Sequence, residues 1–281
     1  EVGVTRLSLG VEHVVERILK LNGRAHGAEE IDRSYAFARS VGFPQINIDL
    51  IAGMMGDTDE DWQEAVRKTI DLAPDSVTIY QMEIPYNTTI FREMSARGDE
   101  VAPVAAWSKK RAWVGYAFHE MERAGYTVTS AYTVARDPAT SKFVYRDRLW
   151  TGADLVGLGV ASFSYVGGTH FQNEHNFEPY VRRLRAGELP IYRALTPTPV
   201  ERTIRELLLQ FKLGHVRLDY FREKFGTDLR RCFPEAIGRL TEWGFLCDTG
   251  EELVLNRDGL LQADRLVHEF FLPEHRDARY A

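Results

Sequence analysis

From residue 4 to residue 75 the chain switches between two hydrophobic periods, and each predicts an element. Val4-Thr5-Arg6-Leu7-Ser8-Leu9-Gly10 alternates apolar and polar positions in steps of two, the pattern of a strand with one buried face. Residues 12–21 and 28–41 take the helical period, the second with Ile31, Tyr35, Ala38 and Val41 on one stripe and Gly42 placed to close it in a left-handed turn. Ile46-Asn47-Ile48-Asp49-Leu50-Ile51 is a second strand. Thr58-Asp59-Glu60-Asp61 supplies a capping hydroxyl and an acidic first turn for a third helix, and Val77-Thr78-Ile79-Tyr80 is a third strand. Strand, helix, strand, helix, strand within eighty residues predicts a parallel sheet with crossover helices. In such sheets chemistry gathers where the strands end, so the positions just after Leu9, at Asp49 and at Gln81 to Glu83 come first.

Residues 104–124 predict a long helix, 132–150 an irregular aromatic stretch, and the glycine-spaced run 154–168 a strand and a tight turn. After Leu195 the style changes. Thr196-Pro197-Thr198-Pro199 opens an amphipathic helix to residue 213, and short helices follow over 218–225 and 234–243. A hairpin over 246–256 turns at Thr249-Gly250, and a last helix covers 259–271. That succession resembles a winged-helix module. The boundary is therefore placed at 194/195, giving an α/β region, 1–194, and a small α+β region, 195–281.

Composition narrows the function classes. The 281 residues are 44% hydrophobic and 27% charged, ordinary for a folded chain and enough for one large domain or two ordinary ones. Lys+Arg is 35 against Asp+Glu 41, a net charge of −6, and Arg222, Lys224, Arg230 and Arg231 are interleaved with acids, so nucleic acid is not expected as a partner. Apolar runs such as Leu207-Leu208-Leu209 stop far short of the roughly 20 residues of a membrane-spanning helix, so no membrane partner is expected. Cys232 and Cys247 form no CxxC pair, which predicts neither a metal site nor a disulfide framework and fits a cytoplasmic location. The chain starts at Glu1 and enters a strand at once, so an upstream segment is expected.

Few residues carry a chemical signal of their own. Asp49 lies in an apolar strand, where a carboxylate is costly to bury alone; it serves a ligand, caps a turn or pairs with an arginine. Arg24 follows a glycine turn and reads by itself as a surface charge. Glu12, at the end of the first strand, faces either the mouth of the sheet or a helix N-terminus, and Glu83 is a functional residue or an ordinary loop charge. Gly157-x-Gly159 and Gly167-Gly168 lack the context of a phosphate loop, Ser162 and Ser164 lack a nucleophile elbow, and His170 and His175 lack a third metal ligand. No catalytic residue is assigned.

Together, Gly3-Val4-Thr5-Arg6-Leu7-Ser8-Leu9-Gly10-Val11-Glu12, Leu21-Asn22-Gly23-Arg24 and Asn47-Ile48-Asp49-Leu50-Ile51-Ala52-Gly53 resemble the oxygen-independent coproporphyrinogen III oxidases, a family of radical S-adenosyl-L-methionine (SAM) proteins. The run 154–168 with Gln172-Asn173, and the winged-helix-like end, resemble that family's core end and C-terminal domain. The resemblance implies the C-terminal part of a partial (β/α) barrel binding SAM across its strand ends, followed by the small α+β domain. It implies a cytosolic oxidoreductase of porphyrin and heme biosynthesis, with a porphyrinogen-type substrate held beneath the C-terminal domain and an electron-donor protein as partner. In that reaction the 5′-deoxyadenosyl radical takes hydrogen from a propionate side chain, which then decarboxylates to vinyl. Carried over by position, Glu12, Arg24, Asp49 and Glu83 fall on SAM-contacting positions and Phe163 on the apolar contact to the adenine region. Carboxylates suit ribose hydroxyls or the methionine amino group, and an arginine suits the methionine carboxylate.

The chain departs from the family's pattern in three ways. The family usually has glutamine in place of Glu12 and a small residue in place of Glu83, and the stretch from Tyr80 to Thr88 is more like relatives that include radical SAM C-methyltransferases. Methyl transfer is therefore an alternative reaction. A heme-binding or heme-trafficking protein without turnover is a third reading, with His119, His170 or His175 as axial ligand. The family's [4Fe-4S] cluster needs a CxxxCxxC loop that Cys232 and Cys247 cannot supply, so the loop is expected on a segment upstream of Glu1.

Overall fold

The alternating runs become three parallel strands, β1 (Arg6–Glu12), β2 (Gln45–Ala52) and β3 (Ser76–Gln81), in the computed structural model, which describes residues 3–84, 92, 96 and 104–276. Two short strands, β4 (Thr127–Val128) and β5 (Thr133–Ala135), extend the sheet antiparallel in the order β1-β2-β3-β5-β4. Helices α1 (Glu16–Leu21), α2 (Ala28–Val41), α3 (Asp59–Leu72) and α4 (Trp107–Arg123) complete this mixed, open α/β layer. The even positions of β2, namely Ile46, Ile48, Leu50 and Ala52, are fully buried in one core with Ile31, Tyr35, Trp62, Val66 and Phe118 from the helices. Burying each large side chain of this kind stabilises the fold by about 1.5–3 kcal/mol. The odd positions Asn47 and Asp49 share the opposite face with Ser8 of β1 and Ser76 and Thr78 of β3.

Local chemistry sets the element ends. Gly42 closes α2 at φ 83° as its position predicts, and Thr58 caps α3 by accepting from the Asp61 amide. The first helix starts at Glu16 rather than residue 12, because Glu12 is still in β1, at the left-handed φ of 64° beside a bulge.

The chain divides into two compact units, Glu1–Lys142 with Arg257–Ala263 and Pro273–Ala281, and Phe143–Asn256 with Asp264–Leu272. That division lies earlier than the change of style near residue 194. The second unit holds α5 (Val144–Trp150), α6 (Phe177–Arg185) and an antiparallel sheet of β6 (Phe163–Val166), β7 (Thr169–Asn173) and β8 (Ile191–Leu195). The glycine-spaced run thus feeds a hairpin turning at Gly167-Gly168, both at positive φ, 58° and 83°.

The rest of the unit has winged-helix order: α7 (Pro199–Phe211), β9 (His215–Arg217), α8 (Leu218–Phe225), α9 (Leu229–Cys232), α10 (Pro234–Glu242), then the hairpin β10 (Leu246–Asp248) and β11 (Glu252–Leu255) pairing back onto β9. Thr198 and Glu201 form a reciprocal capping box that starts α7, with Pro199 in its first turn. The last helix is not continuous. Residues 259–271 break into α11 (Arg257–Leu260), α12 (Ala263–Leu266) and a 3₁₀ turn, Val267–Phe270, where the Phe270 ring sits edge-on to Phe211 and Phe233.

Candidate functional site

The polar face of β1 to β3 is a connected network centred on Asn47 and Asp49. The Ser8 hydroxyl donates to Asp49 Oδ2 at 2.9 Å and Asn47 Nδ2 donates to Asp49 Oδ1 at 2.8 Å. Asn47 Nδ2 also reaches Ser8 Oγ at 2.9 Å, while its Oδ1 accepts from Ser76 Oγ at 2.7 Å and Thr78 Oγ1 at 3.1 Å. Asn47 is fully buried and Asp49 half-buried, three residues short of the end of β2 rather than at it. Burial pushes the Asp49 carboxyl above its ordinary value, against the opposing pull of Ser8, Asn47 and the nearby Arg6 charge. Neutral donors hold this carboxylate, and neither a turn cap nor a bonded arginine accounts for it.

Glu12 and Arg24 come together at the end of β1. Arg24 Nε lies 2.6 Å from Glu12 Oε2, with the arginine 32% and the glutamate 19% exposed. Glu12 keeps a positive φ although it carries a Cβ, which is strain held by its surroundings. Gly10 pairs with Asp49 across the strands, and a Cβ there would meet Glu12 Oε1 at 3.9 Å, so the Glu12 carboxylate turns back over the strand beside Asp49. The turn that follows is fixed from below: His13 and Asp57, both fully buried, face each other at 3.4 Å, and His13 Nδ1 accepts from the Val15 amide. Asn22 fastens the far side, donating from Nδ2 to the Met55 carbonyl at 3.1 Å and accepting the Met55 amide at 3.0 Å.

Glu83 is exposed, two residues beyond β3, and its charge acts on Lys110 of α4. Lys110 was not among the sequence candidates. It is 2% exposed, its ammonium donates to the Met82 carbonyl at 2.6 Å, lies 3.6 Å from the Trp107 ring centroid, and is pushed below its ordinary pKa by burial. Its stem crosses Gly53, at φ 89°, so closely that a Cβ would sit 2.5 Å from Lys110 Cγ. Lys110 therefore ties together the chain just after β2 and just after β3. In sequence it sits in Lys109-Lys110-Arg111 and looks like a solvated helix face; the one available hint was Gly53, a small residue at a strand end. Phe163 belongs to the other unit, where it is 60% exposed at the start of β6. Residues 85–88, part of the stretch that departs from the family pattern, lie outside the described residues.

Residues 1–69, which carry this network, match the Radical SAM superfamily model. The chain is 24% identical over 271 residues to the heme chaperone HemW of Bacillus subtilis, covering 96% of this chain and 70% of the relative. It is 25% identical over 243 residues to the oxygen-independent coproporphyrinogen III oxidase of Pseudomonas aeruginosa, covering 84% of this chain and 53% of the relative. The solved structure of the Escherichia coli coproporphyrinogen III oxidase (HemN) shares the fold at a TM-score of 0.77 and 21% identity, over 95% of this chain and 64% of that one. The chain is thus similar to coproporphyrinogen oxidase-like radical SAM proteins in sequence and shares their fold. It spans about half of the length of the Pseudomonas relative.

The residues of this unit fit SAM itself. A half-buried carboxylate at Asp49 and a partly exposed guanidinium at Arg24 offer one acceptor for hydroxyl or amino groups and one fork for a carboxylate. Arg24 Nε and Glu12 Oε2 form an ion pair without hydrogen-bond geometry, and no hydrogen bond engages the Arg24 terminal nitrogens among the described residues. The chain does not fit the iron–sulfur cluster of radical SAM chemistry: among the described residues no group of three or more His, Cys, Asp or Glu is arranged to hold a metal ion, and Cys232 and Cys247 are exposed free thiols. Among those residues no helix is long and apolar enough to cross a membrane.

Proposed function

We propose that this chain is the SAM- and substrate-holding part of a cytosolic radical SAM oxidoreductase resembling oxygen-independent coproporphyrinogen III oxidase, acting on a porphyrinogen-type substrate in heme biosynthesis. The observation that carries the reading is the Ser8–Asp49–Asn47 network beside the Glu12–Arg24 pair, within the segment that matches the radical SAM superfamily. Bound SAM would supply the 5′-deoxyadenosyl group, which becomes a hydrogen-abstracting radical on one-electron reduction by an iron–sulfur centre that the described residues do not provide. The chain's own residues bind and orient SAM. Asp49, with acceptor capacity beyond its two bonded donors, receives hydroxyl or amino hydrogens, and Arg24 clamps the methionine carboxylate. Glu12 holds Arg24 in place and accepts from the amino group, and Glu83 serves as a further acceptor. Lys110 fixes the Gly53 and Met82 backbone and so positions Glu83.

A second reading, heme binding or trafficking, is favoured by the match to HemW over nearly the whole chain. His170 suits a neutral axial ligand because burial, then the nearby Arg205 charge, push its pKa below the ordinary value. Anaerobic reconstitution of the gene product with iron and sulfide, followed by product analysis with SAM and coproporphyrinogen, tests both. 5′-Deoxyadenosine with decarboxylated porphyrin supports the oxidase. S-adenosylhomocysteine in addition would show methyl transfer, and a Soret band on adding heme with SAM left intact would show the heme-binding reading instead.

A further inference from the structure

In the second unit, α7 carries two half-buried arginines that the fold leaves without an ion pair among the described residues. Arg202 and Arg205 are one helical turn apart, a spacing that sets their Cβ atoms about 5–6 Å from each other. Among the described residues neither takes part in an ion pair or donates a hydrogen bond, and Arg202 Nε and Arg205 Nη1 are buried from solvent with no partner. Every acid close by in the chain is engaged elsewhere. Glu206 accepts from Lys224 Nζ at 2.9 Å on both oxygens and from the Tyr220 hydroxyl. Glu201 is held in the cap by Thr198, and Asp154 Oδ1 accepts the Gly167 amide at 3.0 Å. Leaving a buried guanidinium edge unpaired is costly, and folds keep such groups where something else completes them.

Two walls flank the pair. The Arg205 guanidinium lies flat over the Tyr165 ring, 3.8 Å from its centroid, and Tyr165 is buried and packs at 4.6 Å from His170. The Arg202 guanidinium lies on Gly168 of the β6–β7 turn, where a Cβ would come within 2.8 Å of Arg202 Cζ. With φ 83° at the same residue, only glycine allows this approach. Burial also holds the Arg205 pKa below its ordinary value, against the opposing pull of Tyr165 and the Glu206 charge.

We infer that Arg202 and Arg205, walled by Tyr165 and Gly168, form a binding site for an organic carboxylate in the second unit. The unpartnered Arg202 Nε and Arg205 Nη1 are charged donors, and the planar guanidinium fork matches the two oxygens of a carboxylate. The aromatic wall suits the apolar part of such a molecule. The site lies wholly within the second unit and stands independently of the SAM reading.

The test is thermal unfolding of the whole chain in citrate, in inorganic phosphate and in sodium chloride at matched ionic strength. Citrate is expected to raise the midpoint by roughly 3 °C or more over sodium chloride, with phosphate giving less. Arg205→Met is expected to lose that rise and, in anion-free buffer, to melt above the wild type, because the uncompensated cation is gone. Arg205→Lys keeps the charge but not the fork and is expected to lose most of the rise while folding normally. Equal midpoints in citrate and sodium chloride, a phosphate effect larger than that of citrate, or a citrate effect that survives Arg205→Lys would each overturn the inference.

Discussion

Two buried carboxylates, one in each unit, sit in opposite circumstances. Glu206 is 2% exposed and saturated: a lysine ammonium bonds both of its oxygens, a tyrosine hydroxyl adds a third donor, and Gly152 at φ 75° closes over it so tightly that any Cβ would overlap the carboxylate. Asp49 is half-buried, bonded by a serine hydroxyl and a side-chain amide, and its pKa is pushed up by burial. The first is closed to any ligand and its work is structural, in keeping with the Tyr220 hydroxyl, whose acidity its burial and the Glu206 charge suppress strongly. The second keeps both an energetic deficit and room to accept, the condition in which a ligand's donors are worth most. The two acids thus differ both in burial and in the identity of their donors.

The largest effect falls on the closed site. Glu206→Ala leaves Lys224 and Tyr220 only the Thr151 carbonyl to share as an outside acceptor and is expected to cost about 2–4 kcal/mol of unfolding free energy, below the full cost of breaking a buried pair because that carbonyl remains and Lys224 is 34% exposed. SAM affinity, read by calorimetry on the variant that remains folded, is expected to stay at the wild-type value. A variant with unchanged denaturant midpoint would break the comparison from the structural side.

Next comes the open site. Asp49→Ala is expected to weaken SAM binding by roughly ten- to a hundredfold, the worth of one or two charge-assisted hydrogen bonds, with no loss of fold stability. Wild-type affinity in this variant would remove Asp49 from the site. Arg24→Lys is expected to weaken SAM binding less, by roughly three- to tenfold, because the ammonium keeps the charge and the contact to Glu12 but loses the planar fork. An unchanged dissociation constant would show that Arg24 serves Glu12 and not a ligand.

How far these sites were legible in the sequence follows from which interactions are local. The period-two runs of β1 to β3 and the stripe of α2 show directly, since alternation and capping act within a few residues. Asp49 stands out for the same reason, as a charge in an apolar strand. The Glu12–Arg24 pair does not, because a bulge, a positive φ and a tight turn bring the two together, and no sequence period encodes that path. Lys110 and the Arg202–Arg205 pair read as ordinary helix surface; Gly53 and Gly168, small residues that admit a long side chain, mark their burial only once strands distant in sequence are in place. The late break in 259–271 escaped too, since an apolar helical period does not show that residues 257–263 and 264–272 join different units.

The smallest effect gives the sharpest test of Asp49. A carboxyl whose folded pKa is raised takes up more protons in the native state than in the unfolded one. Its stabilising contribution is therefore complete below the ordinary carboxylate pKa and is lost as pH rises through the raised folded value, so at neutral pH ionised Asp49 costs stability. Asp49→Asn removes the ionisation and keeps the shape: its amide donates to Ser8 Oγ in place of the bond it received, and its carbonyl still accepts from Asn47 Nδ2. The variant is expected to be more stable than the wild type at pH 7, by less than about 1 kcal/mol, and equal to it near pH 2.5, below the ordinary carboxylate pKa, where Asp49 is protonated in both states. Denaturant titrations at the two pH values read the difference directly. A variant less stable at pH 7 would mean that the network favours the carboxylate after all, and Asp49 would then join Glu206 as a structural acid.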